Sequence, residues 1–165
     1  MRNKIYLLLG SNLDDREKNL LLAIKKINEQ AGNVLSVSSL YVTQPWGVSD
    51  QPEFLNQVIE IESDYSARQL LQKLLLIELE IGRKKTIRWG PRKIDIDILF
   101  YGNTILAEKD LAIPHPGITD RRFTLVPLCE IASKFIHPQL NKKCEQLLRE
   151  CTDPLQVKRY VPTDS

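Results

Sequence analysis

Between Arg88 and Leu99 the chain reads Arg-Trp-Gly-Pro-Arg-Lys-Ile-Asp-Ile-Asp-Ile-Leu, and its second half alternates carboxylates with β-branched residues. On an extended strand successive side chains point to opposite faces, so Asp95 and Asp97 share one face and Ile94, Ile96 and Ile98 take the other. Two strand rises hold the carboxylates roughly 6–7 Å apart, a spacing that suits one or two hard divalent cations. Just upstream, Arg83, Lys84, Lys85, Arg88, Arg92 and Lys93 form a basic block with no acid among them. Metal-binding acids beside cations suit a polyphosphate: Mg²⁺ bridges its oxygens and the bases neutralise the remaining charge. A half-buried strand with a solvated acidic face and a basic loop would look similar, and a bare Asp-x-Asp favours that plainer account. The adjoining Arg88-Trp89-Gly90-Pro91-Arg92 tips the balance toward chemistry.

The elements that must position these groups are legible from periodicity. Ile5 to Leu9 is a short apolar run bounded by Gly10-Ser11-Asn12, which predicts a buried strand followed by a tight turn. Asn12 or Asp14 can cap the next helix, where Leu20, Ala23, Ile24 and Ile27 fall at amphipathic spacing up to a stop near Gly32. A second strand is expected over Val34 to Thr43, running into the loop Gln44-Pro45-Trp46-Gly47. Another begins at Phe54, with Phe54, Asn56 and Val58 on one face and Leu55, Ile59 and Ile61 on the other. Ser66-x-x-Gln69 is a capping box that opens a helix whose Leu70, Leu71, Leu74, Leu75, Ile77 and Ile81 form an apolar face, with Gly82 placed to end it. Glu78 lies near that end, where local sequence equally suits an exposed helix residue.

The Asp95/Asp97 strand should end around Phe100-Tyr101, with a turn at Gly102-Asn103 and a short strand at Ile105-Leu106. Short helices are expected at Leu125 to Ala132 and Cys144 to Cys151, and a surface strand or loose end after Pro154. The order β-α-β-β-α-β with C-terminal additions is the α+β, ferredoxin-like split arrangement. It predicts a four-stranded antiparallel sheet with both long helices on one face, the other face being left for ligands or the C-terminal segment.

Bulk properties narrow the function classes. The 165 residues suit a single domain over 1–165, and 42% hydrophobic with 27% charged residues is the balance of a globular protein. A net charge of +2 is too small for a protein that coats nucleic acid, so the basic block serves a local purpose. Cys129, Cys144 and Cys151 are too few and too widely spaced for a zinc ribbon or disulfide framework, which points to reduced thiols in the cytoplasm. No apolar run is long enough for a membrane span. Neither a Gly-x-x-x-x-Gly-Lys-Ser/Thr loop nor a Gly-x-Gly-x-x-Gly turn is present, so ATP phosphates would have to be held by metal and side chains.

The string Arg88-Trp-Gly-Pro-Arg92-x-x-Asp95-Ile-Asp97-Ile98 resembles that of the 6-hydroxymethyl-7,8-dihydropterin pyrophosphokinases of folate biosynthesis. Gly10-Ser-Asn-Leu13, Thr43 through Gly47, Gln51-Pro-x-Phe-Leu-Asn56, Ile77-Glu-Leu79 with Gly82-Arg83, Pro114-His115 and Arg121-x-Phe123 follow in the family's order, and the resemblance covers about residues 4–135, most of a domain of usual size. It implies transfer of the β,γ-diphosphoryl group of ATP to the pterin hydroxymethyl oxygen with release of AMP. Asp95 and Asp97 would hold two Mg²⁺ ions on the triphosphate, so that attacking, phosphoryl and leaving oxygens are held in line. Arg83 and Arg92 match arginines that assist the chemical step from a mobile loop, where a forked, permanently charged guanidinium suits phosphate. Arg88 and Trp89 ride on the same loop, Trp89 closing over the pterin side. An arginine expected beside Lys84-Lys85 is absent, and either lysine can fill its phosphate role. Glu78, Ile98, His115 and Arg121 match positions lining the nucleotide site. Phe54 and Phe123 match the aromatic pair that sandwiches the pterin, Asn56 the amide that reads its pyrimidine edge, and Thr43, Pro45 and Trp46 the loop flanking that edge. The general base is left open between Asp97 and a metal-bound hydroxyl. Monomer is the default assembly, with ATP and pterin the only partners.

Two other readings fit less well. A nucleotidyltransferase would carry its Gly-Ser on a helix about a dozen residues before the acids, whereas most of this chain intervenes. An RNA-binding ferredoxin-like module would expose an aromatic Lys/Arg-Gly-Phe/Tyr signature on its sheet, and no such string is present.

Overall fold

The computed structural model describes residues 3–43, 52–82 and 93–162. In chain order these form β1 (Asn3–Ser11), α1 (Arg16–Gln30), β2 (Asn33–Val37), β3 (Tyr41–Thr43), β4 (Phe54–Ser63), α2 (Ala67–Ile81), β5 (Asp95–Tyr101), β6 (Leu106–Glu108), β7 (Leu111–Ile113), α3 (Arg122–Ala132), α4 (Cys144–Glu150) and β8 (Val157–Arg159). The main sheet has six strands in the order β5-β1-β4-β3-β8, with β2 also on β4, and β6 pairs β7 in a separate ladder. The strands of the main sheet pair antiparallel. This is the ferredoxin-like arrangement expected from the element order, with two additions.

The first addition comes from splitting the expected 34–43 strand in two. Both halves pair with β4, Asn33–Val37 opposite its C-terminal half and Tyr41–Thr43 opposite its N-terminal end. Ser38, between them, takes over the ladder: its Oγ accepts from the Val58 N–H at 3.0 Å, and its carbonyl accepts from Gln57 Nε2 at 2.7 Å. A serine hydroxyl that competes for backbone partners in this way breaks regular pairing. The second addition is β8, which pairs with β3 and gives the tail a fixed place. Tyr160 fastens it further, its N–H donating to the Leu40 carbonyl and its hydroxyl to Glu17 at 2.6 Å.

Local capping rules place the long helices. Ser66 and Gln69 form the reciprocal capping box of α2, and Gly82 ends it with φ 113°, its N–H donating to the carbonyls of Glu78 and Leu79. At α1 the cap is Asp15, not Asn12 or Asp14: its carboxylate accepts from the Lys18 N–H at 3.1 Å, while Asp14 turns the chain at φ 60°. Asn12 instead reaches across to the Pro52 carbonyl, and Asn19 donates to Ser11 Oγ and the Leu13 carbonyl. These bonds pin the β1–α1 turn.

Both sheet faces are used. Ile5, Leu7, Leu9, Ile59, Ile61, Ile96 and Ile98 pack with Leu20, Ile27, Leu70, Leu74 and Ile77 of α1 and α2 in one core. On the opposite face Tyr6, Leu8, Val58, Leu99 and Phe100 pack with Leu125, Leu128, Cys144 and Leu147 of α3 and α4 in a second. Asp95 and Asp97 are not members of this second core.

Candidate active site

Strand register assembles the site. Asp95 on β5 is paired with Gly10 on β1, Gly10 with Asn56 on β4, and Asn56 with Tyr41 on β3. Directly paired residues share a face, so these four make one row across four strands. The next row is Asp97, Leu8 and Val58. Leu8 and Val58 belong to the second core, so the carboxylate pair stands at the margin of the α3/α4 cover, with Asn56 and Phe54 further along the same face. Asp95 and Asp97 are both half-buried.

The strand that carries the acids is anchored by α2. Glu78 is 3% exposed, and its Oε2 accepts from the Ile96 N–H at 2.8 Å. Among the described residues β5 is an edge strand with no strand on its outer side, and the carboxylate takes that N–H instead. Glu78 is thus a buried brace between the two acids rather than an exposed helix residue. The side chain of Ile98 is buried in the α1/α2 core, on the face away from Asp95 and Asp97.

A second segment meets the pair from the far side. Phe100 is paired with Tyr6 and Ile98 with Leu7, so Leu99 is the extra residue of a bulge. Its carbonyl, free of the ladder, accepts from the His115 N–H at 3.0 Å and ties that residue beside the acids. His115 Nδ1 accepts from the Gly117 N–H at 2.9 Å, so the neutral ring carries its proton on Nε2. Burial pushes its ionisation below the ordinary value; the Asp97 charge opposes this and the Arg121 charge reinforces it. Three predicted residues from distant parts of the chain, Asp97, His115 and Arg121, therefore share one electrostatic environment.

Arg121 precedes α3, and its guanidinium lies over the Phe123 ring at 5.7 Å. Gly117 makes room for it: a Cβ there would come within 2.9 Å of the guanidinium carbon. On the acceptor side, Asn56 Nδ2 donates to Thr43 Oγ1 at 3.0 Å, and both residues are buried. This fixes the amide's orientation. Phe54 is half-buried on the face that carries Asn56. Arg83, Lys84, Lys85, Arg88, Trp89 and Arg92, with Pro45 and Trp46, lie outside the described residues. Lys93 lies beside the end of α2, where a Cβ on Gly82 would stand 3.3 Å from its Cδ.

Sequence reasoning places Gly10 in a turn, whereas it lies within β1, and a glycine inside a strand can mark a close approach of another group. The Leu99 bulge left no trace in local sequence. As a cation site, the pair offers two hard oxygen donors, and no cluster of three or more His, Cys, Asp or Glu occurs among the described residues. That set fits Mg²⁺, which takes one or two carboxylates and fills its shell from water and substrate phosphates.

Residues 6–133 match the family model of 7,8-dihydro-6-hydroxymethylpterin-pyrophosphokinase (HPPK). The chain belongs to the HPPK family. It is 39% identical to the 2-amino-4-hydroxy-6-hydroxymethyldihydropteridine pyrophosphokinase of Aquifex aeolicus over 90% of this chain and 92% of that one. With the Haemophilus influenzae enzyme of the same name it shares 39% identity, over 93% and 96% of the two chains. The folic acid synthesis protein of Pneumocystis carinii is 45% identical over 81% of this chain, which spans 18% of that longer protein. Among solved structures, the HPPK-DHPS protein of Plasmodium falciparum with pteroate superposes with a TM-score of 0.74 at 17% identity, covering 91% of this chain and 42% of that one. That likeness shows the HPPK fold.

Proposed function

We propose that this chain transfers the diphosphate of ATP to 6-hydroxymethyl-7,8-dihydropterin, giving the pterin diphosphate and AMP in tetrahydrofolate biosynthesis. The observation that supports the reading is the row Asp95–Gly10–Asn56, which puts a carboxylate and an amide on one face, about 10 Å apart by two interstrand spacings. Asp95 and Asp97 are the ligands for two Mg²⁺ ions, which when bound neutralise the triphosphate and act as Lewis acids on its oxygens.

The protein's own groups do the positioning. Asn56, held by Thr43, reads the pyrimidine edge, while Phe54 and Phe123 offer π-faces to the ring. Neutral His115 directs Nε2–H as a donor toward the nucleotide, and Arg121 adds a charge that stays on at any working pH. Arg83 and Arg92 are assigned to the phosphates undergoing transfer, with Arg88 and Lys84 or Lys85 aiding them, and Trp89, Pro45 and Trp46 to the pterin. Glu78 serves this site by bracing β5, and Ile98 by its place on the same edge strand. We assign the chain as a single-domain monomer acting in the cytoplasm. No helix among the described residues is long and apolar enough to cross a membrane.

The test is product analysis with ATP, Mg²⁺ and the hydroxymethyl dihydropterin. AMP and pterin diphosphate in equal amounts are expected. Release of pyrophosphate, or of ADP with a pterin monophosphate, would overturn the reading.

A further inference from the structure

Gly10 stands between Asn56 and Asp95 in the row that crosses the sheet. Its backbone is ordinary extended strand and is not among the positive-φ glycines, so no conformational demand selects glycine here. Space does. A Cβ at this position would fall 2.7 Å from Asn56 Oδ1 and 3.5 Å from Phe54 Cδ1. The first distance is too short to persist. β1 cannot yield, because β4 and β5 pair with it on either side at Gly10. The Asn56 carboxamide can swing away, but only by giving up its bond to Thr43 Oγ1. Asn56 is buried in this position, and a lost hydrogen bond in such a setting is costly.

We propose that Gly10 is a specificity-determining positioning residue for the acceptor substrate. Its bare Cα is the floor across which the Asn56 carboxamide lies. The inference rests on the acceptor-site reading given above. It implies a division of labour: the Asn56 amide reads the flat heterocycle, and the missing side chain at position 10 lets that amide keep its bond to Thr43 while doing so.

The test is a double-mutant cycle on Gly10→Ala and Asn56→Ala, read by KM for both substrates and by calorimetric affinity for the hydroxymethyl dihydropterin with an ATP analogue and Mg²⁺. Gly10→Ala should weaken pterin binding about ten-fold, the effect of one misplaced hydrogen-bonding group, with KM for ATP within about two-fold. In Gly10→Ala/Asn56→Ala the obstructing oxygen is gone, so the double variant should bind pterin as Asn56→Ala does. Additive losses in the double variant, or unchanged pterin affinity in Gly10→Ala where Asn56→Ala loses it, would overturn the inference while leaving the acceptor-site reading intact. If Asn56→Ala binds pterin normally, that reading fails and this inference with it. Should Gly10→Ala not fold, the double variant decides: folded with the affinity of Asn56→Ala supports the proposal, and unfolded overturns it.

Discussion

Removing the brace under the acid strand should separate anchoring from ligand contact. Glu78 Oε2 and the Ile96 N–H form a 2.8 Å bond in a buried setting, between the two residues that carry the carboxylates. Glu78→Ala leaves that N–H without its acceptor, at about 1.5–3 kcal/mol for a bond to a carboxylate. Losing the buried side-chain methylene adds about 0.8 kcal/mol. The sum, about 3 kcal/mol, is a sizeable share of the 5–15 kcal/mol typical of a domain, yet the variant should still fold. Glu78→Gln keeps an amide oxygen at the same place and should lose only about 1 kcal/mol. Urea melts of both variants measure the difference. Titrating Mg²⁺ against initial rate then reads the consequence: a frayed β5 needs several-fold more Mg²⁺ for half-maximal turnover in the alanine variant, with the glutamine variant near wild type. Alanine and glutamine variants equal in stability within about 0.5 kcal/mol would refute the bracing role. A glutamine variant that loses ATP affinity as severely as alanine, without loss of stability, would show that the carboxylate acts on the nucleotide directly.

Asp97→Asn keeps the shape of the side chain but removes the charge proposed to hold a cation; turnover should fall at least about a hundred-fold at saturating Mg²⁺ while calorimetric pterin affinity changes little, and retained turnover would exclude Asp97 from the proposed cation site. Gly82→Ala forces a side chain into a left-handed conformation at φ 113°, so α2 should lose about 1 kcal/mol or more in a thermal melt; an unchanged melting temperature would argue against that cap. His137 is buried against Phe100, its Nδ1 accepts from the Gln139 and Leu140 N–H groups, and burial lowers its pKa from 6.5. Its contribution to stability is therefore complete above pH 6.5 and is lost as pH falls through the depressed folded value, at most about 1.4 kcal/mol per pH unit. His137→Asn keeps an acceptor for both N–H groups, so urea melts between pH 7 and 5 should show a flatter loss than wild type; an identical slope would mean that another group carries the acid sensitivity.

Most of what the sequence determined by itself was local. Alternation put Asp95 and Asp97 together on one face of their strand, and Phe54, Asn56 and Val58 together on one face of theirs, because side-chain direction in a strand depends only on position in the chain. The capping box at Ser66 and the glycine stop at Gly82 were legible for the same reason: each helix end is satisfied by residues within a turn of it. The Arg-to-Asp string and its satellites pointed to the family that the comparisons show. What only the tertiary structure decided came from pairings between residues far apart in sequence. The register that sets Gly10 between Asn56 and Asp95, the Glu78 brace on Ile96, the Leu99 bulge that holds His115 beside Asp97, and the tail laid on β3 each depend on a partner that local sequence does not name. Ser38 shows the same limit in reverse: periodicity over 34–43 read as one strand, but its hydroxyl found a partner in Val58 once β4 lay alongside. Backbone groups must be satisfied by whatever the fold brings near, and in this chain that requirement, more than local preference, arranged the site.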